Sequence, residues 1–529
     1  MIGTAVRRPG RPPVAGPESP AGGRTRRAAW AWPWVAVGTA ATVAVAVAGA
    51  GIGAVPGTGT GGWVGLTPGR SAPIDLLFYG GAGLLVVAWW GLGHDARAGR
   101  LTLRRAWLVA GLWAGPLAVG PPLFSRDLYS YISQGRIAHA GLDPYAVGPA
   151  VLGPGSLLDS VAVAWRHSPA PYGPLFVTLS RWVAAGSGTS IVAAVLWQRA
   201  LELVGVALLL WGLPRLARHH GADPATAVWL GVLSPLALFG FVASGHNDAL
   251  MAGMVVAGLV LAVEGRRTTG LALCGLAATI KLPAALAVVF LAVSAPPVTA
   301  VARRLWGWAS RLAVPAAVAA AVTAACGLGW GWLSPGDLRI PATSQVLPTP
   351  SVALGTLVFH VVRLGHGHVA EPTVIRAVQL ALSVGGALVV VALAARGRSL
   401  GLVAALGLAL LVVAVAGPAL WPWYLLWGAV LLATTAWQRQ RWLAVLVALS
   451  MFMVGPAGNP VLHGAAYLGV VLALAVLVVL AVGRWRRHRR GGGPDYAAEA
   501  WAPARRDSSA ARRWPGGVVT TGDDRLRPA

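Results

Sequence analysis

A chain of 529 residues with 56% hydrophobic and 11% charged residues and a mean hydropathy of +0.66 carries more apolar surface than one soluble core can bury. Apolar runs near 20 residues recur along it, so it reads as a polytopic membrane protein. The net charge of +25 would suggest nucleic acid in a soluble protein, but the basic residues sit in short clusters between apolar spans and in the tails, where membrane topology explains them without a nucleic-acid partner.

In chain order, residues 1–29 are rich in Pro, Gly and Arg and read as a disordered cytoplasmic tail before a retained span. Apolar spans follow at 31–55, 72–93, 105–124, 189–213, 225–243, 247–264, 270–294, 309–330, 373–395, 399–418, 423–437, 441–459 and 461–483. Cys274 and Cys326, the two cysteines, each lie inside such a run and read as packing residues, not as a disulfide or thiolate metal site. With the N-terminus inside, the inner segments carry Arg97, Arg100, Arg104 and Arg105, then Arg215 and Arg218, Arg266 and Arg267, Arg303, Arg304 and Arg311, Arg396 and Arg398, and Arg439 and Arg441. Together with the tails, that side holds 32 of the 42 basic residues.

The charge rule holds along the whole chain only if 270–294 enters from the cytoplasm and returns there, so a broken, re-entrant hairpin is expected. Its sequence, GLALCGLAATIKLPAALAVVFLAV, places Lys281, the one lysine of the chain, two residues before Pro283. Proline interrupts the backbone ladder, and a break at membrane depth must be buried in protein or line a cavity. Lys281 there either compensates a buried anion or bonds freed helix carbonyls and snorkels. Residues 484–529, opening RWRRHRRGGG, read as a basic disordered cytoplasmic tail that anchors to the membrane surface. The expected fold is all-α: a membrane domain over 30–483 of about 12 full spans plus one re-entrant hairpin. Two large extracytoplasmic loops, about 125–188 and 331–372, carry short helices and are the expected seat of function.

Between the tails there are 11 carboxylates. Asp95, Asp223 and Glu264 lie beside arginines on the inner face and read as surface pairing. Glu202, three residues after Arg199 in one span, is expected to neutralise it on the same helix face. Asp127 follows Phe124-Ser125-Arg126 where the third span leaves the bilayer, at the meeting of water and a low-dielectric edge that can tune a general base. The alternative is an interfacial pair of Arg126 with Asp127. Tyr129, Tyr131 and Gln134 follow, with side chains suited to sugar faces and hydroxyls. Asp143-Pro144-Tyr145 fits a turn with an interfacial tyrosine as well as it fits a site. Pro169-Ala170-Pro171-Tyr172-Gly173-Pro174 fixes an extended outer segment. Ser244-Gly245-His246-Asn247-Asp248 is a short outer turn that gathers three polar side chains. Asn247 or Asp248 is there a helix cap or a site residue, and His246 suits a phosphate or sugar. Trp421-Pro422-Trp423-Tyr424 is an interfacial belt or a platform for a sugar or lipid. No phosphate loop or nucleophile triad is present, and His366 and His368 are the one weak histidine pair.

These motifs resemble the polyprenyl-phosphate-mannose-dependent α-(1→6)-mannosyltransferases of actinobacteria, within the GT-C membrane glycosyltransferases. The resemblance rests on FSRDLYSYISQGRIAHAGLDPY at 124–145, SPAPYGPL at 168–175, SGHNDAL at 244–250, IKLP at 280–283 and WPWYLLW at 421–427, and covers about residues 70–480. It implies a GT-C-like bundle in the plasma membrane with both termini cytoplasmic and the active site extracytoplasmic. An acidic residue of the first large outer loop, matched by Asp127, is then the catalytic base. The donor is a lipid-linked β-mannosyl phosphate, the acceptor a lipid-anchored α-linked mannan, and the anomeric carbon inverts. Basic groups such as His246, Arg339 or Lys281 balance the phosphate. No soluble cofactor is required, while a divalent cation between Asp127 and the phosphate is compatible with the chain. The competing readings are a lipid-linked sugar flippase or transporter, which also needs many spans and broken helices, and a related transferase or ligase using another lipid-linked sugar.

Overall fold

The computed structural model describes residues 32–57, 62–66, 69–294, 301–334, 349–365, 369–439, 443–444 and 454–458. Among them regular structure is helical, apart from an isolated bridge between Trp63 and Leu66. The segment expected to span 461–483, both tails, Arg339, His366 and His368 lie outside the described residues, as does most of 441–459.

Helix α1 (Trp32–Ile52) packs against both α2 (Ala72–Arg97) and α3 (Leu103–Val119). Small residues make this close approach feasible where lipid offers no hydrophobic drive between helices. The Trp113 ring lies over Gly38, its indole N–H donating to the Val35 carbonyl at 3.2 Å. Helix α3 stops at Val119, short of the expected end at 124, because Gly120-Pro121-Pro122 supplies two residues without an N–H. The chain then runs non-helically to Phe124, which takes φ 63° with its ring against Phe239.

The first of the two long segments expected outside contains α4 (Asp127–His139), α5 (Ser156–Ser160) and α6 (Pro174–Ser187). Helices α4 and α6 meet where Gly135 faces the Ser180 carbonyl; a Cβ on Gly135 would lie 2.2 Å from that oxygen. Helix α7 (Ile191–His219) leads to α8 (Pro224–Gly231), capped by Asp223, whose carboxylate accepts from Thr226 N–H. The expected span 225–243 is bent by 51° between α8 and α9 (Pro235–Ala243), because Ser234 caps a new helix that Pro235 begins. The last six residues of α9, Leu238–Ala243, wind as a π-helix.

Helix α10 (Asp248–Val263) is buried on nearly every side. It crosses α7 at Gly205 and Gly253, and α11 (Arg267–Ala278) at Gly258 and Gly270. Over the expected hairpin the helix breaks at 279–281 and resumes through a 3₁₀ turn, Leu282–Ala284, into α12 (Ala285–Val293). The second half comprises α13 (Val301–Cys326), α14 (Pro350–Leu364), α15 (Glu371–Ala395), α16 (Leu402–Ala416) and α17 (Leu425–Leu432). Among the described residues five helices are long and apolar enough to cross a membrane, or six with the bent pair as one span. Several of the remaining expected spans correspond to apolar helices of 10–17 residues, α10, α16 and the stretch Leu282–Val293 that includes α12 among them.

Two ionic expectations resolve differently. Asp95 pairs with Arg100, as expected of the inner face. Glu202 does not neutralise Arg199: its Oε1 accepts from Gln198 at 3.5 Å, and the Arg199 guanidinium turns to backbone carbonyls on the other side. Residues three apart share a face, but three carbonyls at helix ends offer Arg199 a better-fitting set of acceptors.

The α7–α10 crossing allows no side chain at Gly205, where a Cβ would lie 2.2 Å from the Ala249 carbonyl oxygen. Gly205→Val is expected to cost about 1–3 kcal/mol by overpacking, read as a fall of several degrees in the thermal unfolding of detergent-solubilised protein. An unchanged midpoint would contradict this crossing.

Candidate functional site

Four segments converge at one end of the bundle. Asp127 begins α4, its N–H bonded to Ser125 Oγ at 3.0 Å. The 244–248 turn brings in His246, Asn247 and Asp248, all at 0% exposure. The 279–281 break delivers Lys281, and the 421–427 motif adds an aromatic wall. The break is satisfied from outside its own helix: Gly173 N–H donates to the Ile280 carbonyl (3.0 Å) and Leu175 N–H to that of Thr279 (3.1 Å). Freed carbonyls thus find partners in the proline-rich segment at 169–175, as non-helical backbone in a membrane domain requires. Gly173 is needed here, since a Cβ would meet Thr279 O at 2.1 Å.

Lys281 Nζ lies 2.8 Å from both oxygens of Asp248, and the Trp427 indole N–H donates to Asp248 Oδ1. The buried anion that Lys281 compensates is therefore the protein's own Asp248. The ammonium also faces the rings of Tyr424 (4.8 Å), Trp427 (5.6 Å) and Tyr172 (5.8 Å), each adding cation–π attraction. Tyr424 and Trp427 stack at 4.3 Å, three residues apart across the Pro422-initiated turn.

Asp127 Oδ2 sits 3.4 Å from His246 Nδ1, which is also 3.4 Å from the Tyr131 hydroxyl. His246 stacks on Trp423 at 3.7 Å, and Trp423 on Trp421 at 4.8 Å. Tyr131 is held edge-on by Tyr172 and Phe176. The Asp127 side chain retains 17% exposure against 0% for Asp248. Desolvation, the largest influence, and the Asp248 charge push its carboxyl up to about 6, against the opposing pull of Lys281 and the Ser125 hydrogen bond. Burial, and then the Lys281 charge, hold His246 well below the ordinary imidazole range, so the ring is neutral at neutral pH.

The remaining expected residues are placed as follows. Arg126 does not pair with Asp127; it donates to the Ser160 carbonyl at 3.1 Å. Tyr129 is buried and donates its hydroxyl to the Ala54 carbonyl, tying α4 to the end of α1. Gln134 is buried on α4 with its Oε1 unbonded among the described residues. Asp143 is an exposed turn residue accepting from Tyr145 N–H at 2.8 Å, and Tyr145 packs with Ala138, Ala170, Val177 and Trp332, apart from the ring of residues around Asp127. Asn247 stands at the cap position of α10 without a side-chain cap bond. Trp423, read with its neighbours as belt or platform, stacks on His246. Trp427 lies beyond that reading, and its signal is its place one helical turn after Tyr424.

As a cation site the cluster is thin. Among the described residues no three His, Cys, Asp or Glu side chains gather to hold a metal. Lys281 occupies both Asp248 oxygens, which leaves Asp127 and His246 as the protein groups able to meet a cation, with phosphate and water supplying the rest. Chemically the arrangement offers a partly exposed carboxylate tuned toward neutrality, a buried neutral imidazole behind it, a cation held across from it, and aromatic faces beside both.

Comparison with known proteins gives two family matches: "Alpha-(1->6)-mannopyranosyltransferase, N-terminal domain" over residues 35–297 and "MptB C-terminal domain" over 349–484. The chain is 33% identical to alpha-(1->6)-mannopyranosyltransferase A of Mycobacterium tuberculosis over 72% of its own length and 74% of that protein's. A probable alpha-(1->6)-mannopyranosyltransferase of Mycolicibacterium smegmatis is 34% identical over the same shares. Alpha-(1->6)-mannopyranosyltransferase B of Corynebacterium glutamicum is 29% identical over 77% and 74%. No solved structure matches. The chain belongs to the alpha-(1->6)-mannopyranosyltransferase family.

Removing one partner of a buried ion pair leaves the other charge uncompensated, at about 3–5 kcal/mol. Lys281→Met and Asp248→Leu are each expected to lower thermal stability strongly, while the double variant recovers part of the loss. Additive losses in this cycle would mean that the two charges do not interact.

Proposed function

We propose that this mannosyltransferase moves mannose from a polyprenyl-phosphate-mannose donor to a growing, lipid-anchored α-(1→6)-mannan on the outer face of the plasma membrane, with Asp127 as general base and inversion at the anomeric carbon. The observation that carries the assignment is the contrast between two neighbouring carboxylates. Asp248 is fully buried and engaged by Lys281 and Trp427, whereas Asp127 reaches solvent and is tuned to about 6. A base of that strength is ionised at neutral pH yet still able to accept a proton.

In the proposed step the 6-hydroxyl of an acceptor mannose lies against Asp127 and attacks the anomeric carbon of the donor. The new glycosidic C–O bond forms as the bond to the phosphate oxygen breaks. The hydroxyl proton passes to Asp127, and polyprenyl phosphate leaves with the bonding electrons. Attack opposite the phosphate converts a β-linked donor into an α-linked product. His246, neutral behind Asp127, keeps the carboxylate aimed, and Lys281 faces the leaving phosphate as a preorganised positive charge. Trp421 and Tyr424, both partly exposed, are suited to the apolar face of a sugar or the first isoprene units. Family membership favours transfer over lipid-sugar transport.

The proposal carries a topology of about 12 spans with a re-entrant segment at 270–294, both termini inside and Asp127 outside. The arginine distribution supports it, and so does the helix break at 279–281 that Gly173 and Leu175 satisfy.

Asp127→Asn is expected to lower kcat by about 10²- to 10⁴-fold, measured with synthetic polyprenyl-phosphate mannose and a short mannoside, while donor binding persists. Because the folded carboxyl lies above its ordinary value, ionisation costs the folded state stability as pH rises through about 6. The Asn variant therefore unfolds at the wild-type temperature or higher at neutral pH. Near-normal turnover would remove Asp127 from the role. For the wild type, kcat/KM is expected to fall on the acid side through a pH of about 6; a flat profile across that range would argue against a base with this environment. Enzyme treated with a chelator is expected to keep its turnover, and a loss restored by magnesium would instead put a cation between Asp127 and the phosphate.

A further inference from the structure

Arg199 is 1% exposed in the first half of α7 and makes no ion pair among the described residues. Its guanidinium donates through one nitrogen to the carbonyls of Ala118 and Gly120, both at 2.7 Å, and through another to that of Ala243 at 2.9 Å. The first two lie at the C-terminal end of α3 and the third is the last residue of α9. A helix C-terminus carries about half a negative charge. Two such ends facing one guanidinium balance a buried cation without a carboxylate, which accounts for Glu202 standing aside.

Those two helix ends lead directly into the site. From Gly120 the chain runs through Pro121, Pro122, Leu123 and Phe124 to Asp127; from Ala243 it runs through Ser244 to His246 and Asp248. The two segments are also tied to each other, Leu123 N–H donating to the Ala243 carbonyl at 3.3 Å and Ser244 Oγ–H to the Leu123 carbonyl at 2.7 Å. The Asp127–His246 contact at 3.4 Å therefore joins the free ends of two segments whose bases share one guanidinium.

We infer that Arg199 is a positioning residue for transfer: it clamps the segment that carries Asp127 to the segment that carries His246 and Asp248, and so sets the separation of base, imidazole and ion pair. The inference rests on the proposed reaction. A planar fork with five donors meets three carbonyls from two segments, whereas an ammonium on a flexible stem does not hold that geometry. A shift of about 1 Å in a reacting group can cost about 10²-fold in rate.

The test uses full-length Arg199→Lys, which keeps the charge, and Ser244→Ala, which loosens the same joint without touching the buried arginine. For both, kcat, donor KM, thermal midpoint and amide exchange over 123–127 and 243–248 are measured in lipid nanodiscs. Arg199→Lys is expected to lower kcat by about 10- to 100-fold with donor KM within roughly threefold of wild type, and to speed exchange in both segments together. Ser244→Ala is expected to do the same more weakly. Wild-type kcat in Arg199→Lys, or faster exchange confined to one segment, overturns the clamp. If Arg199→Lys does not fold, Ser244→Ala decides by the same criteria. If wild-type protein transfers nothing from polyprenyl-phosphate mannose, the proposed reaction fails, and the exchange measurement alone still decides whether the two segments are clamped.

Discussion

The ion pair between Lys281 and Asp248 is the interaction on which the rest of the site depends. Neither charge tolerates this environment alone, because an isolated ion in a low-dielectric interior costs many kcal/mol. Their pairing forces the first residue of α10 against the broken segment between α11 and α12. Once those backbones are joined, the aromatic wall has one place to go. Trp427 bonds the carboxylate, Tyr424 stacks on Trp427 beneath the ammonium, and Tyr172 closes the third side from the proline-rich segment before α6. That segment is then anchored a second time by the hydrogen bonds that Gly173 and Leu175 make to the carbonyls freed by the break. A helix interruption that would be a defect in an isolated span becomes the joint between the helix bundle and the 125–188 segment.

The same pair sets the character of Asp127. Its carboxyl feels burial, the opposed charges of Asp248 and Lys281, and Ser125, with burial the largest of them. Because Lys281 and Asp248 are bonded to each other, their fields partly cancel at Asp127, and desolvation decides the outcome. An unpaired lysine there would pull the carboxyl down and an unpaired aspartate would push it up. The neutral His246, stacked on Trp423, supports Asp127 without adding a charge.

Much of this was legible in the sequence, for identifiable reasons. The chain avoids carboxylates between its tails, so Asp127 and Asp248 stood out by scarcity. Pro283 two residues after a lone lysine marked the break correctly, since a missing N–H acts locally whatever the tertiary context. Local rules also misplaced residues. Arg126 was adjacent to Asp127 in sequence and Glu202 three residues from Arg199, and neither pair forms: the two arginines bond backbone carbonyls from distant segments, at Ser160 and at the ends of α3 and α9. Arginine's five donors make carbonyl clusters as attractive as a carboxylate, and no spacing rule reveals where such clusters will assemble. The Tyr129 hydroxyl likewise bonds a carbonyl distant in sequence, that of Ala54 in the loop after α1. Asp143, read both as a turn and as a site residue, is a turn residue that bonds its own backbone, as Asp before proline commonly does.

Helix length gives the site its depth. At about 1.5 Å per residue, the 16 residues of α10 extend about 24 Å, and the 9 of α12 and 8 of α17 far less, against a hydrocarbon core of about 30 Å. The elements that deliver Asp248, Lys281 and Trp427 are thus too short to reach across, whereas α2, α7 and α15 are long enough, and α7 packs along α10. Helices α4 and α6 pack on each other and both touch α7, and Asp127 is the first residue of α4. On the proposed reaction short helices address a problem of phase: a polyprenyl chain stays in the hydrocarbon while its phosphate and sugar must reach an acceptor in water, and a helix that ends before the boundary lets the side chains at its end meet both.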